Sequence, residues 1–139
     1  MAADARAARL ARAWLKRARG NLARANQPKP EEGFWEDLCF DAQQAAEKAV
    51  KAVLVFRGVE FPRTHQIAEL LVLLRQAGHD APESVWRARD LSDYASDARY
   101  PVEDEPVDPI QPVGEEEYWR AVAWADDVVR WVESVIHVS

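Results

Sequence analysis

The chain has 139 residues, 48% hydrophobic and 30% charged, with a formal net charge of −6. That length holds one core of useful size and no second one, and the composition is too apolar for a disordered segment. No apolar run approaches the ~18–20 residues that cross a bilayer, and the arginine-interrupted first thirty residues cannot hold a signal-peptide core. One cysteine, Cys39, excludes an internal disulfide and a thiolate metal site, so a reducing cytoplasm is the expected location and Cys39 reads as a small buried hydrophobe.

The first helix is expected from about Asp4 to Ala25. Ala11, Leu15, Ala18, Leu22 and Ala25 recur at spacings of four and three and share one face. Arg9, Arg12, Lys16 and Arg19 recur in the same way on another face, where they could meet phosphates or simply water. Pro28 and Pro30 end this helix, because proline lacks an amide donor and pushes its predecessor out of helical backbone.

A second helix spans about Phe34 to Arg57, with Leu38, Ala42, Ala45, Ala49, Val53 and Phe56 inward and Gly58 as a left-handed cap. A third runs from about His65 to Ala77, N-capped by Thr64, with Ile67, Leu70, Leu71 and Leu74 inward and Gly78 at its end. Asp80 and Glu83 have capping-box spacing for a fourth helix from about Ala81 to Ala98, packing through Val85, Ala88, Leu91, Ala95 and Ala98. Pro101, Pro106, Pro109 and Pro112 among acids make the next stretch a loop. Glu115 to about Ile136 forms the fifth helix, its acidic first turn favoured by the helix dipole.

That last helix carries two apolar stripes. Tyr118, Val122, Ala125, Val129, Val132 and Ile136 form one; Trp124, Val128, Trp131 and Val135 form the other. The pair is wider than the ~100° a surface helix needs, so either the helix lies centrally in its own bundle or the second stripe meets another subunit. A homodimer through Trp124, Val128, Trp131 and Val135 is the favoured expectation. Nothing alternates in the manner of a strand. The fold class is therefore all-α, a single-domain antiparallel bundle of about five helices over residues 1–139.

No catalytic set emerges. His65, His79 and His137 lack zinc-site spacing, and phosphate-cradling glycine loops and serine elbows are absent. Neither a metal nor a cofactor is expected, and no catalytic residue is nominated.

Three motifs rise above generic helical pattern. The second helix reads Ala42-Gln43-Gln44-Ala45-Ala46-Glu47-Lys48-Ala49-Val50-Lys51-Ala52; after Gly58 comes Phe61-Pro62-Arg63-Thr64-His65; the fourth helix ends in Tyr94, then Ala98-Arg99-Tyr100-Pro101. Together they resemble the HEPN family, the higher eukaryote and prokaryote nucleotide-binding domain. The resemblance implies a helical bundle similar to the helical domain of kanamycin nucleotidyltransferase, commonly dimeric. It also implies nucleotide binding and action beside a separate minimal nucleotidyltransferase, in a toxin–antitoxin-like pair. The family's signature maps onto Gln43, Gln44 and Glu47, with Lys48, Lys51, Arg63, His65, Tyr94, Arg99 and Tyr100 around a ligand cleft for a nucleotide or RNA. Some members are metal-independent ribonucleases using an Arg-x4–6-His motif across a dimer. After Arg99 the matching positions hold Asp104, Glu105 and Pro106, so that motif is not met. A ribonuclease toxin and a ligand-free oligomeric scaffold remain the alternatives.

Overall fold

The computed structural model describes residues 2–95 and 113–136. Among them are α1 (Ala2–Ala25), α2 (Trp35–Phe56), α3 (Ile67–Gln76), the single turn α4 (Glu83–Trp86), a 3-10 helix (Arg87–Tyr94) and α5 (Glu115–Ile136), with no strand. The all-α expectation holds. Arg99, Tyr100 and His137 lie outside the described residues.

The buried axis of the bundle is α2, not α5. Cys39, Ala42, Ala45, Ala46, Ala49, Val50, Ala52, Val53 and Leu54 point to several sides and are all buried. Small alanines let α1 lie close along one side, while α5, α3 and the 3-10 helix cover the others. On α1 the inward face is Ala11, Leu15, Ala18 and Ala25, as the spacing predicts, with Leu22 only half-buried at its edge. On α5 the first stripe is buried, and Val128 of the second stripe is also fully enclosed by its own chain. Trp124, Trp131 and Val135 pack half-buried on the same core. Val128 is thereby withdrawn from any contact with a second subunit.

Two helix ends show why glycine stands where it does. After α2, Gly58 has φ +71°, its amide donates to the Val55 carbonyl at 3.1 Å, and Val59 N donates to Leu54 O at 2.8 Å. Gly78 repeats the arrangement after α3, with φ +89° and the His79 amide on Leu74 O at 3.1 Å. Each is a Schellman close that satisfies carbonyls left over at the helix end. A Cβ at Gly58 would meet nothing within 4 Å, so Gly58→Ala tests backbone conformation alone. It is expected to cost about 1–2 kcal/mol by urea denaturation, with no change in m.

Three expectations are corrected. As far as Tyr94 the expected long fourth helix is instead one α-turn followed by 3-10 structure, and its expected end at Ala98 lies outside the described residues. Val85, Ala88, Leu91 and Tyr94 recur every three residues, which aligns them at three residues per turn rather than 3.6. Buried Ser92 locks this segment to α3, its hydroxyl accepting the Ile67 amide at 2.9 Å. The capping box does not form: Pro82 is the N-cap of α4, and Asp80 accepts from the Ala81 amide and the Trp86 indole. Thr64 does not cap α3 either. The N-cap is Gln66, and Thr64 Oγ1 accepts the Gln66 amide while donating to Glu69.

Candidate functional site

Polar residues of α2 fall on two neighbouring lines, because positions four apart share a face and adjacent positions sit about 100° apart. Gln43, Glu47 and Lys51 form the first line and face the turn that carries Pro62. Asp41 and Lys48 form the second and face α1. All buried side-chain nitrogen and oxygen atoms among the described residues have a partner.

In the first line Glu47 is the hub. Its Oε1 accepts from Gln43 Nε2 at 2.8 Å and lies 2.9 Å from His65 Nδ1; its Oε2 accepts from Lys51 Nζ at 2.8 Å. Gln44 donates to Gln43 Oε1 at 2.7 Å. Lys51 also lies 5.7 Å from the ring centroids of both Trp14 and Phe61. Burial alone would raise the Glu47 pKa. The hydrogen bonds from Lys51, Gln43 and His65, with the charge of Lys51, outweigh it and leave the carboxyl below its ordinary value. An ionised Glu47 makes Nδ1 of His65 the donor, so Nε2 faces outward; the side chain is 62% exposed. Arg63 is exposed nearby in sequence and makes no ion pair among the described residues.

In the second line, Lys48 Nζ donates to Asn21 Oδ1 at 2.8 Å, and Asn21 Nδ2 donates to buried Asp41 at 3.2 Å. Arg24 Nη2 reaches the same Asp41 oxygen at 3.4 Å. Above these residues runs a groove of about 580 Å³ lined by Lys16, Arg17, Gly20, Asn21, Arg24 and Lys48. It continues into a hollow of about 380 Å³ lined by Leu10, Ala13, Trp14, Arg17 and Lys48. Ala13, Arg17 and Lys48 line both. One end is therefore apolar and aromatic, with Leu10 51% exposed, and the other holds four cations against one buried carboxylate. Burial, then the charges of Arg17 and Arg24 against opposing pulls from Glu47 and Asp41, hold the Lys48 pKa below its ordinary value. An anion in the groove would relieve that crowding.

The expected ligand residues thus divide among separate places. Lys51 and His65 meet at Glu47. Lys48 turns to α1 instead. Tyr94 lies in a third depression with Asp90, Asp93, Glu117, Arg120 and Trp124, its hydroxyl donating to Glu117. Burial and that hydrogen bond hold the tyrosine protonated well above its ordinary range. Nearby Cys39 is pushed up to about 12 by burial and then by Glu117 and Glu36, so it is an inert thiol. His65 does not cap α3; its ring serves Glu47.

Sequence reasoning missed Leu10, Trp14, Arg17, Asn21 and Arg24. The signal was present: these positions recur at spacings of four, three, four and three, one residue behind the core stripe of α1. Their chemistry changes from apolar to basic along the stripe, which hid it from a search for uniform faces.

The family model described as the HEPN domain matches residues 11–135, so the chain belongs to the HEPN family. The crystal structure of an archaeal HEPN homologue is similar at 30% identity and a TM-score of 0.70, over 91% of this chain and 97% of that one. No curated protein matches the chain significantly. Among the described residues, no helix is long and apolar enough to cross a membrane.

Proposed function

We propose that this chain is a nucleotide-binding regulatory module that holds its ligand in the α1–α2 groove and acts with a separate minimal nucleotidyltransferase. The observation that carries the reading is the two-part groove itself. Trp14 and Leu10 offer a flat apolar surface to a base, and Arg17, Lys48, Arg24 and Lys16 offer charge-assisted donors to phosphates. Asn21 and Asp41 hold Lys48 and Arg24 from beneath, so the cations are positioned before a ligand arrives. HEPN membership supports the nucleotide class, and the toxin–antitoxin-like pairing follows from the resemblance. Isothermal calorimetry with ATP, AMP and inorganic triphosphate tests the reading. Saturable heat that grows from AMP to ATP is expected; no heat with any of them overturns it.

One observation favours ribonuclease as a second reading. Ionised Glu47 fixes the tautomer of an exposed His65, which is how an acid–base imidazole is oriented for proton transfer. Under that reading His65→Ala abolishes cleavage of a single-stranded RNA and Glu47→Gln lowers it about 10²–10⁴-fold. An inert wild type disposes of it.

A homodimer through the open sides of Trp124, Trp131 and Val135 belongs to the same proposal. Sedimentation at micromolar concentration is expected to show a dimer that Trp131→Ser dissociates, and a wild-type monomer contradicts it.

A further inference from the structure

Three large apolar side chains are exposed among the described residues, and Leu10 already belongs to the groove. The other two, Phe34 at 65% and Trp119 at 56% exposure, stand by the N-terminal ends of α2 and α5. Trp119 ends an aromatic run whose other end is Trp35, and Phe34 directly precedes Trp35 in the chain. Trp35 packs on Tyr118 with ring centroids 4.8 Å apart, and Tyr118 packs on Trp119 at 4.9 Å. Tyr118 is anchored by its hydroxyl, which donates to the Ala25 carbonyl at 2.5 Å. The run therefore has a fixed base and outward rings.

The surroundings are acidic. Glu31 and Glu32 are exposed just before Phe34; Glu115 and Glu116 are exposed one turn before Trp119, whose indole donates to Glu115 at 3.4 Å. Glu36 and Glu117 add carboxylates in the first turns of α2 and α5. Lys29 offsets one of these charges, its ammonium hydrogen-bonded to the Pro30 and Gly33 carbonyls at 2.9 and 3.1 Å. The same ammonium lies 5.4 Å from the Trp35 ring centroid, so this aromatic run already receives one cation within the chain.

From this juxtaposition we infer that Phe34 and Trp119, with the carboxylates beside them, form a docking face for a lysine- and arginine-rich segment of another protein. Exposed ring faces attract ammonium and guanidinium groups, and the alkyl stems of those side chains cover apolar ring surface. The four exposed glutamates supply the counter-charge and repel phosphates, which separates this face from the basic groove. The inference stands apart from the nucleotide reading.

Fluorescence anisotropy with a labelled peptide of alternating arginine and serine tests it, using the full chain and a glutamate–serine peptide as the control probe. Binding of the arginine peptide alone is expected. Phe34→Ser/Trp119→Ser, which leaves net charge unchanged, should weaken it about tenfold, the sum of two exposed cation–π contacts. Replacing Glu31, Glu32, Glu115 and Glu116 by glutamine should remove most of its salt dependence. Equal binding by the wild type and the aromatic variant overturns the inference, since net charge alone would then be the attraction. Concentration-dependent self-association abolished by the aromatic variant also overturns it, because a second copy would then cover the face. Both variants alter exposed side chains and keep the groove intact. Unchanged nucleotide heat in them separates the failure of this inference from failure of the proposed function.

Discussion

Lys51→Met is expected to cost about 3 kcal/mol of folding stability, because it strands the Glu47 carboxylate in the interior with one charged partner removed. In a domain of this size that is a fall in Tm of roughly 10 °C. Glu47 would keep its bonds to Gln43 and His65 but lose the ammonium at 2.8 Å. Removing both partners is different. Glu47→Leu/Lys51→Met should recover most of the loss, since a buried pair replaced as a unit by apolar side chains is often close to neutral. Denaturation of the two single variants and the double variant closes the cycle and isolates the coupling.

The sign of the pH dependence follows from the direction of the Glu47 shift. Its folded pKa lies below the ordinary 4.5, so its contribution is fully present above that value and is lost as pH falls through the lowered one. In Lys51→Met the two influences of Lys51 that lower the pKa are gone and burial pushes it up. The stability gap between wild type and variant should therefore narrow as the medium is acidified and the variant's Glu47 takes a proton. A gap that widens in acid would contradict the assignment of Glu47 as the ionised hub.

The second large effect concerns ligand affinity. Lys48→Ala and Arg17→Ala are each expected to weaken ATP binding about tenfold or more, the scale of one hydrogen bond to a charged group at about 1.5–3 kcal/mol. Both residues line the apolar and the basic part of the groove, so neither loss can be confined to one end. Trp14→Leu separates the ends. It keeps an apolar cover over Lys51 yet removes the stacking surface, so ATP should bind more weakly while inorganic triphosphate is unaffected. Because the Lys48 pKa is lowered, ATP affinity should begin to fall with rising pH before the ordinary lysine value of 10.5 is reached. Lys48→Arg should flatten that decline.

Much of the fold was legible because helix faces and helix ends write themselves in local spacing. The α1 core stripe, the start of α5 at Glu115 and the glycines at positions 58 and 78 all depend on neighbours within a turn or two. The fourth helix failed for a related reason. Its inward residues fit a period of three as well as 3.6, and the choice was made by a tertiary bond, Ser92 to the Ile67 amide. The site was less legible. Gln43, Glu47 and Lys51 announce a shared face, and His65 joins them only because the Pro62 turn brings it back against α2. Lys48, one residue from Glu47, belongs to a different surface, and no motif in the linear chain says that Asn21 waits for it 27 positions away.

Nucleotide entering the groove between α1 and α2 would meet Trp14, whose indole N–H resonance in nitrogen-15-labelled protein reports on it. Titration with ATP should move that resonance saturably, together with the backbone amides of Arg17 and Gly20, while the amides around Tyr94 and Glu117 stay in place. A Trp14 signal that holds still while ATP shifts resonances elsewhere, or shifts none, would contradict the account.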